Sequence, residues 1–351
     1  MTMAHFVIFK ITFLTTLAFL WAWMWTPVVY RFLIRYSLVK QIRDEAAAPI
    51  FFSLHKKKAG TPTMGGVLIW ITTFLFAIFF YYLSLIINNQ FFLQLNFLTR
   101  AQVLLPLGAL VASAIVGLVD DYLNIKKIGP LGGGLRMRHR FILYTCIALV
   151  GSWWFYAKLG WDILHVPFVG DFALGWWFVP VFMFIIVATA FSVNETDGLD
   201  GLAGGTLLAG FASYAAIALI EGKYDLAVFC GVIIGALLAF LWFNIYPAKF
   251  MMGDTGAMSL GVTLGIVAML TNYALLLPII GFLFVVEAGS VIVQVTSKKI
   301  WKRKLFLSTP FHHHLEARGW KEPTIVMRFW VISGILAVVG LIIVLVEKGL
   351  Y

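Results

Sequence analysis

Charge is scarce in this sequence. Asp, Glu, Lys and Arg make up only 12% of its 351 residues, against 62% hydrophobic, and mean hydropathy is +0.94. A soluble domain carries about 25% charged residues, so a polar water-facing surface is excluded. The length leaves space for many bilayer spans of about 20 residues each. Cysteine is rarer still. Cys146 and Cys230 both lie in apolar runs, which excludes a disulfide framework and reads as two small buried hydrophobes. No soluble domain, linker, low-complexity tract or internal repeat stands out. The first apolar run, from Phe6 to Val29, lacks a small-residue cleavage site and ends in basic residues, so it is expected to stay as a span.

Apolar runs near 6–29, 64–87, 101–119, 141–157, 174–192, 202–220, 224–243, 256–271, 276–297 and 327–346 predict an all-α integral membrane protein. That makes about ten transmembrane helices in a single multi-pass domain over 1–351. A formal net charge of +10 could suggest nucleic acid, but the placement of the charge argues against it. Seven Lys/Arg fall in 30–63, five in 120–140, none in 193–201, one in 244–255 and eight in 297–328, which is 21 of the 26. By the positive-inside rule these alternate connections face the cytoplasm and both termini face outward. The outward stretch 158–173 alternates around Gly170-Asp171 and predicts a short hairpin. Gly231/Gly235 and Gly261/Gly265 stand at helix-packing spacing.

Acids are few, 16 in all, and they are not scattered. Asp120, Asp121, Glu195, Asp197, Asp200 and Asp254 fall near span ends on the cytoplasmic side, beside the basic connections. A carboxylate at the bilayer midplane costs about 2.5–3.5 kcal/mol on insertion scales. At the boundary it is cheaper and can meet both a soluble and a lipid-borne reactant. Acids beside bases are what a divalent cation and polyanionic substrates require. Asp120-Asp121 closes the third span. Adjacent like charges raise each other's pKa unless a cation compensates, and negative charge at a helix C-terminus opposes the dipole. A solvated helix end is the bland alternative. In Asn194-Glu195-Thr196-Asp197-Gly198-Leu199-Asp200-Gly201, polar residues recur every third position beside glycines that admit close backbone approach. A polar turn or a Ca²⁺-type loop would look similar. Asp254, in Met251-Met252-Gly253-Asp254 downstream of Asn244, could simply cap the next helix. It becomes a metal-ligand candidate beside the other acidic segments.

Two more segments carry signal. His312, His313 and His314 sit in the most basic connection. Successive helical side chains point about 100° apart, and a zinc site would want spaced ligands. They read as hydrogen-bonders to phosphate or carboxylate, with an exposed loop as the plain alternative. Lys56-Lys57-Lys58-Ala59-Gly60-Thr61-Pro62-Thr63-Met64-Gly65-Gly66 opens the second span. Three lysines alone would only orient the chain or touch anionic lipid, but the Gly-Thr-Pro-Thr-x-Gly-Gly that follows is more specific. Glu287 lies inside the ninth span, where an ionisable side chain is functional or paired. It is taken as a packing or gating residue.

These segments, in this order, resemble the polyprenyl-phosphate N-acetylhexosamine-1-phosphate transferase superfamily, and most closely its muramoyl-pentapeptide branch. The resemblance implies UDP-MurNAc-pentapeptide and undecaprenyl phosphate as substrates, lipid I and UMP as products, and Mg²⁺ as cofactor. It implies Asp254 as the Mg²⁺ contact, with Asp120 and Asp121 at the lipid phosphate and the diphosphate. Lys58, Thr63, Asn194, Asp197 and Asn244 would line the uridine side with Asp200 nearby, and His312, His313 and His314 would border the phosphate and sugar. It also implies ten spans, a cytoplasmic site in the bacterial inner membrane, and a homodimer. Two positions depart from the pattern. Arg140 stands where many members have lysine, keeping the charge without the compact ammonium. Met251, with Phe250 beside it, stands where members carry the aromatic partner of uracil. A sister enzyme using UDP-GlcNAc would share the aspartates. A secondary transporter would also hold intramembrane acids, but usually with inverted repeats and midplane sites.

Overall fold

The computed structural model describes residues 3–39, 58, 60–87, 89–129 and 133–350. The expectations placed on Lys56, Lys57 and Ala59 lie outside the described residues. The chain is helical almost throughout. The apolar runs form α1 (Met3–Arg35), α2 (Val67–Ile86), the short α3 (Gln90–Leu95), α4 (Leu104–Ile125), α5 (Met137–Trp153), α6 (Phe178–Thr196), α7 (Leu202–Ile220), α8 (Tyr224–Asn244) and α9 (Gly253–Thr271). They continue as α10 (Leu277–Ile280), α11 (Phe282–Ile300), α12 (Phe311–Ala317) and α13 (Glu322–Glu347). Among the described residues nine helices are long and apolar enough to cross a membrane, and α10 with α11 makes a tenth if counted as one span.

The ninth predicted span is not a straight one. It breaks at Gly281, where α10 and α11 meet at 82°. The Gly281 N–H closes α10 on the Leu277 carbonyl at 2.7 Å, and the next helix sets off in a new direction. Hydropathy reports only that both pieces are apolar. The predicted hairpin is present. β1 (Ile163–Val166) and β2 (Gly170–Ala173) pair antiparallel, from Ile163 opposite Ala173 to Val166 opposite Gly170.

α9 is the hub of the bundle: all of its residues are buried. It packs against α4, α6, α7 and α2, while α1 lies along α8 and α13 along α7. Small residues make this possible, because between apolar helices in lipid close packing replaces the hydrophobic drive. Gly261 and Gly265 seat α9 on Ala190, Val193 and Ile186 of α6. Gly231 and Gly235 seat α8 on Thr15 and Phe19 of α1. The hydroxyls of Ser259 and Thr263 return to carbonyls one turn back, at 2.6 and 2.7 Å, so neither is left unbonded inside the bundle.

The Gly65-Gly66 pair ahead of α2 is explained by the same centre. Gly65 and Gly66 donate their N–H groups to the carbonyls of Met251 and Met252 at 2.9 and 2.8 Å, and the Met251 N–H returns to Pro62 at 2.8 Å. A Cβ on Gly66 would fall 2.3 Å from the Gly256 Cα. That contact is backbone against backbone, so nothing can rotate away. Gly66→Ala is therefore expected to destabilise the fold by about 3 kcal/mol. Thermal unfolding in detergent checks it, and a melting temperature equal to wild type would refute it.

Candidate active site

The ends of α4 and α6, the starts of α5 and α9, and the connections around 58–66 and 244–252 meet at one end of the bundle. α4 runs past its two aspartates to Ile125, and neither is solvated: Asp120 is 0% and Asp121 2% exposed. They face different partners. Asp120 accepts the Leu135 N–H at 2.7 Å through Oδ1, which folds the connection back onto the helix. Its Oδ2 lies 2.6 Å from Arg140 Nε, a charge contact without hydrogen-bond alignment that leaves both buried atoms without a bond. Asp121 instead spans the first turn of α9. Its two oxygens accept the N–H groups of Asp254 and Thr255 at 3.1 and 3.0 Å, where free amides and the helix dipole favour an anion.

Arg140, in the first turn of α5, gathers the cluster. Its guanidinium reaches Asp254 Oδ2 at 3.0 Å and the Asn194 side-chain oxygen at 3.0 Å. The Asn194 amide then donates to Asp254 Oδ1 at 2.7 Å. Asp120, Arg140, Asn194 and Asp254 are thus in direct contact across four helices. Asp197 joins them from below, accepting the Gly253 N–H at 3.0 Å. Thr63 is buried beside Gly253.

A second cluster lies alongside. Lys58 Nζ donates to Asp200 Oδ1 at 2.7 Å and to Glu322 Oε1. Glu322 also accepts the Asp200 backbone N–H at 2.7 Å, and Asp200 Oδ2 holds the Ala248 N–H at 3.0 Å. Burial alone would lower the Lys58 pKa, but Glu322 and Asp200 outweigh it and hold the ammonium above the ordinary lysine range. Asn244 ties the Gly201 N–H, at 3.0 Å, to the Phe250 carbonyl, at 2.8 Å. Phe250 is buried among Tyr30, Phe240 and Phe243, while Met251 beside it is half-buried.

The histidines form the start of α12, and all three are buried. His312 Nδ1 lies 3.0 Å from Glu287 Oε2, His313 Nδ1 lies 2.7 Å from Glu316 Oε2, and His314 Nδ1 accepts the Leu307 N–H at 3.1 Å. The first two bear on carboxylates of the chain itself. Burial pushes the His312 pKa down to about 4, so this ring is neutral at ordinary pH. Glu322 was not anticipated. As the residue before Pro323 at a helix start it reads as an ordinary first-turn acid, and only the fold brings it to Lys58.

The oxygens of Asp120, Asp254 and Asn194 are hard donors of the kind Mg²⁺ takes. Asp120 Oδ2 is buried without an aligned hydrogen bond. Among the described residues no three His, Cys, Asp or Glu side chains form a closed cage. Mg²⁺ is commonly held by one or two carboxylates together with substrate phosphates. The donor set fits the ion. Beside it, an apolar groove of about 770 Å³ runs between α5, α6 and α11, lined by Phe141, Val187, Phe191, Ala288, Ile292 and Val295.

Comparison with known proteins identifies the family. A family model described as glycosyl transferase family 4 matches residues 103–272, the stretch from α4 to the end of α9. A phospho-N-acetylmuramoyl-pentapeptide-transferase signature matches 58–69, which holds Lys58, Thr63 and Gly66. Curated proteins of that name are similar over most of their length. The one from Chloroflexus aurantiacus is 38% identical over 90% of this chain and 84% of its own. That from Geobacillus thermodenitrificans is 38% identical over 91% and 93%, and that from Bartonella quintana 41% over 82% and 80%. With such identity along almost its whole length, and with the signature on the segment that abuts α9, the chain belongs to the phospho-N-acetylmuramoyl-pentapeptide-transferase family.

Proposed function

We propose that the protein transfers the phospho-sugar of UDP-MurNAc-pentapeptide to undecaprenyl phosphate, giving lipid I and UMP. The observation that carries this is the convergence of Asp120, Arg140, Asn194 and Asp254 at one end of a membrane bundle, beside an apolar groove. Phosphoryl transfer between two anionic substrates is limited by charge, and its catalysis is largely positioning and electrostatic stabilisation. Asp254, with Asp120 beside it, is the residue to hold Mg²⁺. When bound, the ion supplies Lewis-acid stabilisation of the diphosphate and of the departing UMP.

The chain's own groups account for the rest. The groove takes the prenyl chain and delivers its phosphate next to Arg140, one residue from Phe141. Asp120 positions that phosphate rather than deprotonating it, since a phosphate monoester with a second pKa near 6 is already mostly ionised at pH 7. An oxygen of the lipid phosphate forms a bond to the sugar-bearing phosphorus. The bond from that phosphorus to the bridging oxygen breaks, and its electron pair leaves on UMP. Lys58, Asp197, Asn244 and Met251 line the nucleotide side, and the histidines border the sugar phosphate. The distribution of Lys and Arg supports a cytoplasmic site with both termini outward.

Purified protein with undecaprenyl phosphate and Mg²⁺ is expected to release UMP from UDP-MurNAc-pentapeptide and not from UDP-GlcNAc, and to stop when EDTA is added. Release from UDP-GlcNAc alone would move the chain to the sister activity. Turnover unaffected by EDTA would remove the metal.

A further inference from the structure

Glu287 is an acid that the reaction above does not use. It is fully buried on α11, and its carboxylate stands at the start of α12. The backbone N–H of His312 approaches both of its oxygens, at 3.2 and 3.3 Å, and Oε2 also lies 3.0 Å from the His312 Nδ1. The His312 ring is fully buried too, and its Nε2 has no hydrogen-bond partner. That ring edge rests on Gly198. A Cβ there would fall 2.2 Å from Nε2, so the contact exists only because residue 198 has no side chain. Gly198 lies between Asp197, which holds the Gly253 N–H, and Asp200, which holds Lys58.

The proton has one comfortable place in this arrangement. An ionised Glu287 can only accept, which makes Nδ1 the donor and leaves Nε2 a bare lone pair. A protonated Glu287 donating to Nδ1 would put an N–H on Nε2, facing Gly198 with nothing to receive it. An imidazolium would do the same. A buried donor without an acceptor is the costlier of the two defects, and burial keeps the ring neutral in any case. A carboxylate that sets the tautomer of a histidine is a recurrent way of orienting a working imidazole.

We propose that Glu287 is a positioning residue for the transfer reaction, acting through His312. It fixes the tautomer with the proton on Nδ1 and seats the ring on Gly198, and so holds the Asp197–Asp200 turn in register with Gly253 and Lys58. The kinetic half of this rests on the transferase reading above. The tautomer half does not.

A simpler role would be that Glu287 only caps α12, and Glu287→Gln separates the two. Glutamine keeps an oxygen for the His312 backbone N–H, and with that oxygen in the Oε1 place its amide N–H faces Nδ1, so the ring proton moves to Nε2. The full chain is labelled with ¹⁵N-histidine in detergent, and His312→Gln assigns the resonance. The wild type is expected to show a bare Nε2 that does not titrate between about pH 6 and 8. Glu287→Gln is expected to carry the proton on Nε2 and to lose about a hundredfold or more in kcat for UMP release, with a smaller change in KM. A wild-type ring with its proton on Nε2, or doubly protonated at neutral pH, would overturn the proposal whatever the variant does. So would a Gln variant that switches tautomer at full turnover, or one that keeps the wild-type tautomer and still loses turnover. If the wild type fails to release UMP, the transferase reading falls with the kinetic half, and the resonance alone then decides the tautomer.

Discussion

Asp254→Asn is expected to lower UMP release by about a thousandfold or more, while the protein folds and inserts as before. Asp254 is where the three strands of the site meet: its carboxylate receives Arg140 and Asn194, and its backbone N–H is held by Asp121. Asparagine keeps the size of the side chain and one oxygen. It loses the charge that the proposed Mg²⁺ site needs, and its amide opposes the Arg140 guanidinium. The backbone bond to Asp121 is untouched, so the first turn of α9 stays in place. Arg140 retains Asp120 as a partner, and relief of repulsion among neighbouring acids offsets part of the lost ion pair. Turnover and thermal unfolding are measured on the same preparation. Near-normal release would remove Asp254 from the metal assignment. A collapse in melting temperature would make it a structural residue first.

Much of this site was legible because polar residues in so apolar a chain have few places to be. Asp120, Asn194, Asp197 and Asp254 stand out against long hydrophobic runs, and a carboxylate is tolerable only at a boundary or against a partner. Their meeting at one end of the bundle follows from the alternation of the spans. What was not legible depends on direction. Asp120 and Asp121 are neighbours in an identical setting, yet a turn of about 100° along the helix sends one to Arg140 and the other to α9. Phe250 and Met251 are equally adjacent, and the larger ring went to the core. Glu322 reads as the first turn of a last helix until the fold lays it on Lys58. The bend at Gly281 is invisible to hydropathy, because both pieces are apolar whichever way they point. It matters nonetheless, since α11 leaves the break to wall the groove and to carry Glu287 to His312.

Asp121→Asn is expected to fail by another route than Asp254→Asn, and the comparison decides what Asp121 is for. The resemblance to the transferases placed it, together with Asp120, at the lipid phosphate and the diphosphate. Its oxygens in the fold reach the N–H groups of Asp254 and Thr255 at 3.1 and 3.0 Å, on a helix end that is otherwise uncapped by its own N-terminal side chain. A carboxylate there satisfies two donors and meets the positive end of the dipole. Asparagine offers one oxygen and turns an amide N–H toward the other donor, inside a site that is 2% exposed. A lost charge-assisted bond and a buried unpaired N–H together cost on the order of 2–4 kcal/mol. The melting temperature should therefore fall. Turnover should fall by about a hundredfold or more, because the displaced residue is Asp254 itself and a small misplacement of a working group is enough for that. Asp120→Asn serves as the control for the melting temperature, since the carboxylate of Asp120 bears on the Leu135 N–H and on Arg140 and caps no N–H of α9. If Asp121→Asn abolishes turnover at an unchanged melting temperature, then its carboxylate works on the substrate. If both fall together, it works by setting the helix end from which Asp254 is presented.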